Sequence, residues 1–155
     1  MPTTQSEDPN ERVDHPRHYN QHSSGIECIE LIEHLPCNLG NAVKYLWRCG
    51  LKTTETPLRD LKSALWYHQR EVERIRVFEI HGSIGMSGAK TDTVWRAHAR
   101  RIVDIEYRLS SDEFGIGRTC QLGVLGAYLN ELLNGRQEAM SAMINEAIFV
   151  LEDSR

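Results

Sequence analysis

Asn38-Leu39-Gly40-Asn41-Ala42-Val43-Lys44-Tyr45-Leu46-Trp47-Arg48-Cys49-Gly50-Leu51-Lys52 carries two periodicities at once. Leu39, Val43, Leu46 and Trp47 recur at steps of three and four, which makes one apolar face of a short helix. Asn41, Lys44 and Arg48 recur at the same steps on another face. Gly50 stands where a helix leaves through a left-handed residue, and Lys52 follows just outside it. Two cations and an amide on one stripe, with Tyr45 beside them and Lys52 beyond the cap, suit a phosphate and a stacked base. A solvated helix face over an ordinary core shows the same pattern.

The flanking sequence extends the helical reading in both directions. Upstream, Ser23-Ser24-Gly25 is a turn, and Ile26 to Leu35 reads as a helix stopped by Pro36. Ile29, Ile32 and Leu35 lie on one side of it, with Glu27, Glu30 and Glu33 opposite. Those acids suit solvent, a cationic neighbour or a magnesium ion. Downstream, Thr56-Pro57 caps a third helix. Its stripe, Leu58, Leu61, Leu65, His68, Val72 and Ile75, is the clearest amphipathic pattern in the chain. His68 on that stripe reads first as a core histidine, while Asp60, Lys62, Trp66, Tyr67 and Arg70 flank it. The short loop predicts an antiparallel hairpin with the preceding helix.

Beyond Ile75 the pattern breaks. Gly82, Gly85 and Gly88 read as a linker over residues 81–92. Gly88-Ala89-Lys90-Thr91 mimics a phosphate-binding loop, but Ala89 spoils the required Gly-Lys spacing. Residues 93–155 are helical again and read as a packing or oligomerisation module. Asp92 caps a helix through Leu109, with Val94, Ile102, Ile105 and Leu109 toward a core and Arg96 and Arg100 available to a neighbouring site. Thr119 caps the next helix, with Leu122, Leu125, Leu129 and Leu132 on one stripe. Gly123 and Gly126 cost helix propensity there, which points to close packing. Asn134-Gly135 turns into a last helix lined by Met140, Met143, Ala147, Val150 and Leu151. The expected fold is all-α.

Composition narrows the function. The 155 residues suffice for one domain with a real core or two very small ones, and the net charge of −4 lacks the basic excess of a general nucleic-acid binder. No run approaches a membrane span, and the N-terminus has no signal-peptide core. Cys28, Cys37, Cys49 and Cys120 lack paired spacing, which fits reduced thiols in a cytoplasmic protein.

Residues 1–12 are polar and read as a disordered arm. Then comes Val13-Asp14-His15-Pro16-Arg17-His18-Tyr19-Asn20, dense in reactive side chains. Pro16 pushes His15 away from the helical region, so this segment is expected to be extended. His15 and His18 suit proton transfer, phosphate binding or simple anchoring of the arm, with Asp14 as hydrogen-bond partner. No Cys/His pair at zinc-like spacing follows, so no metal site is expected.

Asp14-His15-Pro16-x-His18-Tyr19, Gly25-Ile26-Glu27, the Asn38-to-Arg48 block with Gly50 and Lys52, and Asp60-Leu61-Lys62-x-Ala64-x-Trp66-Tyr67 resemble a small tailed-phage family. It is a domain of unknown function often labelled phage nucleotide kinase, and the resemblance covers roughly residues 13–76, within a unit of 13–80. It implies phosphoryl transfer from a nucleoside triphosphate to a deoxynucleoside monophosphate, notably dTMP or dGMP, without a standard phosphate loop. The setting it implies is the cytoplasm of an infected bacterium.

For such chemistry positioning and charge neutralisation matter most. Asp14, His15 and His18 are the candidate catalytic residues. Arg17, Tyr19, Asn41, Lys44, Tyr45, Arg48, Lys52, Asp60 and Lys62 are the candidate nucleotide and phosphate ligands. Magnesium is expected to arrive with the nucleotide. Nucleotides are the expected partners, with a homo-oligomer formed through the C-terminal helices and a host protein as a further partner. A non-catalytic binder that sequesters a nucleotide or host protein is the alternative. A hydrolase using Glu27, Glu30 and Asp60 around a metal is a third.

Overall fold

Residues 17–20, 22–51, 56–81, 89–111 and 119–154 are described by a computed structural model, and they contain helices and turns without a strand. In chain order the helices are α1 (Arg17–Asn20), α2 (Cys28–Ile32), α3 (Cys37–Arg48), α4 (Pro57–His81), α5 (Ala89–Ser111), α6 (Thr119–Leu133) and α7 (Gln137–Asp153). The fold is all-α, as the apolar periodicities require.

Helix α3 buries Val43, Leu46 and Trp47 of its expected apolar face and Ala42 besides, while Leu39 is half-buried. Gly50 leaves the helix at φ +76, and the Leu51 N–H closes the turn on the Arg48 carbonyl at 2.9 Å. Helices α3 and α4 run antiparallel, because Asn38 at the start of α3 meets Glu71 while Arg48 at its end meets Asp60. Helices α5 and α6 pair the same way, with Arg96 donating to the Leu133 carbonyl and Glu106 accepting the Gly126 N–H. Gly135, at φ +69, turns the chain from α6 into α7. Helix α7 then returns along α4, where Lys62 meets Glu152 at 2.7 Å. Leu31, Trp47 and Leu61 share one apolar cluster with Ile102, Tyr128, Leu129 and Met140 from the C-terminal half.

Several expectations are corrected. The segment from Arg17 to Asn20 is a helical turn, not extended; proline restrains the residue before it and is at home at a helix start. Helix α2 is shorter than Ile26–Leu35, and Ile29 is exposed while Ile26, Cys28 and Leu31 are buried. Part of its acidic face has a local purpose, since the Glu30 carboxylate accepts the Glu27 N–H at 2.7 Å. In α5 the buried stripe is Trp95, Ala99, Ile102 and Glu106, which leaves Val94 exposed. Trp95 has more apolar surface to remove from water than Val94, and that sets the rotation of the helix. In α7 Ile144 and Ile148 are buried and Val150 is exposed. The 1–12 arm and most of the 81–92 linker lie outside the described residues. No helix among the described residues is long and apolar enough to cross a membrane.

Candidate functional site

The antiparallel α3/α4 pair sets Tyr45 against Tyr67, their rings stacked with centroids 5.7 Å apart and planes 18° from parallel. Trp66 meets Tyr67 edge-on at 4.9 Å and keeps 58% of its surface exposed. Cations border this aromatic ladder. The Arg48 guanidinium lies 4.5 Å from the Tyr45 ring centroid and the Lys44 Nζ 5.3 Å from it. Past Tyr67 an open groove of about 550 Å³ runs along α4, lined by Arg59, Lys62, Ser63 and Trp66 among others. A flat ring can stack on the aromatics while its anionic groups meet the lysines.

Behind the ladder the charges are committed inward. Arg48 donates from Nε (3.0 Å) and Nη2 (2.8 Å) to Asp60 Oδ1, and Asp60 is fully buried. Asp60 Oδ2 has no hydrogen-bond partner. Burial pulls the Arg48 pKa down, but Asp60 and Tyr19 more than offset it, so the guanidinium stays charged. Burial raises the Tyr19 pKa against the pull of Arg48. Burial pushes the Cys28 thiol up to about 12, against the opposing charge of Lys44.

Of the expected ligands, Tyr19, Lys44, Tyr45, Arg48 and Asp60 come together, with Lys62 on the neighbouring groove. Asn41 does not join them: its amide donates to the Cys37 carbonyl of its own helix at 2.9 Å. Asp60 serves Arg48 from the interior and is not presented to a ligand. Asp14, His15 and Lys52, and the side chains of Arg17 and His18, lie outside the described residues. Arg96 is not delivered to this face; it caps α6 through the Leu133 carbonyl at 3.2 Å. Among the described residues no group of three or more His, Cys, Asp or Glu side chains is arranged to hold a metal ion.

One polar cluster escaped the sequence reading. His22 is buried against Trp47, and its Nδ1 accepts the Ser24 N–H at 3.1 Å. Its Nε2 therefore carries the proton and donates to Glu106 Oε1 at 3.0 Å. Burial raises the Glu106 pKa, with His22 and the Gly126 N–H opposing. A side chain on Gly126 would drive its Cβ into Glu106 Oε2, so the glycine marks a close approach, whereas Gly123 faces open space. The costly glycine in α6 was the available signal, but nothing in sequence names its partner. His68, expected in the core, is buried there with its Nδ1 3.0 Å from the Tyr128 hydroxyl.

A protein family described as a protein of unknown function (DUF3310) matches residues 13–69, which hold α1 to α3 and the first half of α4. The matched region contains both walls of the aromatic ladder. No curated protein and no solved structure matches the chain.

Proposed function

We propose that the chain binds nucleotides on the outer α3/α4 face and transfers a phosphoryl group from a nucleoside triphosphate to a deoxynucleoside monophosphate of the dTMP or dGMP type. The observation that carries this reading is the Tyr45–Tyr67–Trp66 ladder beside Lys44 and the Lys62 groove. In the reaction an acceptor phosphate oxygen attacks the γ-phosphorus as its bond to the β–γ bridging oxygen breaks, giving a nucleoside diphosphate and a deoxynucleoside diphosphate. The acceptor phosphate has its second pKa at about 6, so it is largely ionised at neutral pH and needs no strong base. Lys44 and Lys62 act as point charges, and Arg48 fixes the platform beneath Tyr45. His15 or His18 is assigned to complete the phosphate clamp, and Asp14 to fix the imidazole tautomer. Magnesium bound to the incoming triphosphate supplies further charge neutralisation. The setting proposed is the cytoplasm of a phage-infected bacterium.

A second reading, nucleotide or host-protein sequestration without chemistry, is favoured by one observation. Arg48, the planar fork on the stripe, is turned to Asp60. Exposed Phe149 and Val150 on α7 and Tyr107 on α5 support association between copies through the C-terminal helices. Incubation with ATP and either dTMP or dGMP separates the readings. Diphosphate formed from the acceptor supports transfer, breakdown of ATP without acceptor supports a hydrolase, and binding with neither supports sequestration.

A further inference from the structure

Helices α5 and α7 both pack on α6, and beyond it α5 meets α2 while α7 meets α4. Each turns one face to solvent. On α5 the outward stripe is Ala97, Arg101 and Asp104, with Arg100 and Tyr107 along one edge, all exposed. Steps of three and four residues hold it opposite the buried Trp95, Ala99 and Ile102. On α7 the outward stripe is Ala142, Glu146, Phe149 and Asp153 at the same steps. Tyr107 at 77% and Phe149 at 68% are the two most exposed large apolar side chains among the described residues, and each stripe carries or borders one of them.

Charge restricts what covers these faces. Helix α7 carries acids and no Lys or Arg, so two α7 faces repel each other. The α5 face sets Arg100, Arg101 and Arg108 against the single acid Asp104, so it calls for an acidic partner. Among the described residues Arg100, Arg101 and Glu146 have no ion-pair partner. Helix α6 lies between α5 and α7, so the two faces of one chain do not close on each other. A second copy supplies to each the charge it lacks.

We propose that copies of this chain assemble head to tail, the α5 face of one docking antiparallel on the α7 face of the next. With Arg101 opposite Glu146, the remaining spacings match. Ala97 precedes Arg101 by one turn and Phe149 follows Glu146 by one turn, so the Phe149 ring lies on Ala97 of the neighbouring copy. Asp104 then falls opposite Ala142, away from the acids. A parallel docking would press the Asp104 carboxylate onto Phe149 and bury a charge against a ring. The ring contributes affinity through burial, while the charges select partner and register. A contact between two different faces does not close on a pair, so it propagates into a ring or a filament. It specifies the association between copies raised above and does not involve the α3/α4 face, so its failure leaves the nucleotide reading standing.

The test is sedimentation velocity of the full chain from micromolar to submillimolar concentration, at low and high salt. Mass should rise past the dimer with concentration and fall back as salt screens the charges. Arg100→Glu/Arg101→Glu and Glu146→Arg should each weaken association by at least about tenfold, the effect of setting like charges together. An equimolar mixture of the two should regain it, because each supplies the face the other lacks. Phe149→Ala should weaken association at both salt concentrations. A wild type that stays monomeric throughout, or stops at a dimer, overturns the proposal. So do charge-reversed variants that associate like wild type, or a folded pair that stays monomeric on mixing. Circular dichroism checks the fold of each variant, and wild type with Phe149→Ala decides if a charge-reversed chain does not fold.

Discussion

On the outer face of α3 and α4, Tyr45, Tyr67 and Trp66 offer ring surface beside Lys44 and beside Lys62, whose pairing with Glu152 is exposed to solvent. Inside the bundle, residues of equal chemical promise are spent on one another: Arg48 on Asp60, His22 on Glu106, His68 on Tyr128. The contrast teaches that reactive residue types are not by themselves a site. A buried charge demands a partner before it can serve a ligand, whereas an exposed ring or lysine demands nothing. Arg48 stands at the border, under Tyr45 on one side and paired to Asp60 on the other.

Arg48→Ala is the hardest blow to that distinction. It strands the fully buried Asp60, so urea unfolding should show a loss of about 3–5 kcal/mol, and Arg48→Ala/Asp60→Leu should recover part of it. An Arg48→Ala protein as stable as wild type but weak in nucleotide binding would move Arg48 to the outer face. Gly126→Ala attacks the interior elsewhere. Its Cβ collides with Glu106, and about 2–3 kcal/mol of stability should go. Nucleotide affinity of the folded protein should not change, since no part of the ladder moves.

Periodicity made most of the fold legible. The α3 face, the α3/α4 hairpin, the Gly50 exit and the Gly135 turn were all readable because each depends on neighbours within a few residues. Helix rotation was less so: Val94 and Trp95 are adjacent, and only the packed core decides which turns inward. Long-range polar pairs were not readable at all. His22 and Glu106 lie 84 positions apart, and neither sits in a motif that names the other. The candidate site divides the same way. Lys44 and Tyr45 could be placed on one helix from spacing, but Tyr45 against Tyr67 needed the hairpin register. The commitment of Arg48 to Asp60 needed the burial of Asp60.

Tyr67→Ala sharpens the comparison from the other side. Loss of a base-stacking ring should weaken nucleotide binding by about 1–2 kcal/mol in calorimetry. Stability should change much less than in Arg48→Ala, because Tyr67 is only half-buried. Lys44→Ala should weaken binding further at low salt than at high salt, as screening predicts. If both variants bind like wild type, the outer face is not the nucleotide site.

The smallest effect is the pH dependence of the interior, where two buried groups pull in opposite directions. Burial raises the Glu106 pKa above 4.5, while His22 and Gly126 hold it back. In that window the folded chain keeps a proton that the unfolded chain has released, so this contribution is full below 4.5 and is lost as pH rises through the folded value. Burial lowers the His68 pKa below 6.5, with the Gln137 backbone and Glu71 opposing. There the unfolded chain binds a proton that the folded chain refuses, so stability is full above 6.5 and is lost as pH falls toward the folded value. Each slope is at most about 1.4 kcal/mol per pH unit for one proton, and where the windows overlap they cancel. Wild type should therefore show a shallow profile between pH 4.5 and 6.5, measured by urea unfolding at stepped pH. Glu106→Gln removes the falling term and should leave stability rising with pH, whatever it does to the absolute value. His68→Gln removes the rising term and should leave the reverse slope. Parallel profiles in all three proteins would mean that neither group changes its protonation on folding, and that the interior is less closed to water than its burial indicates.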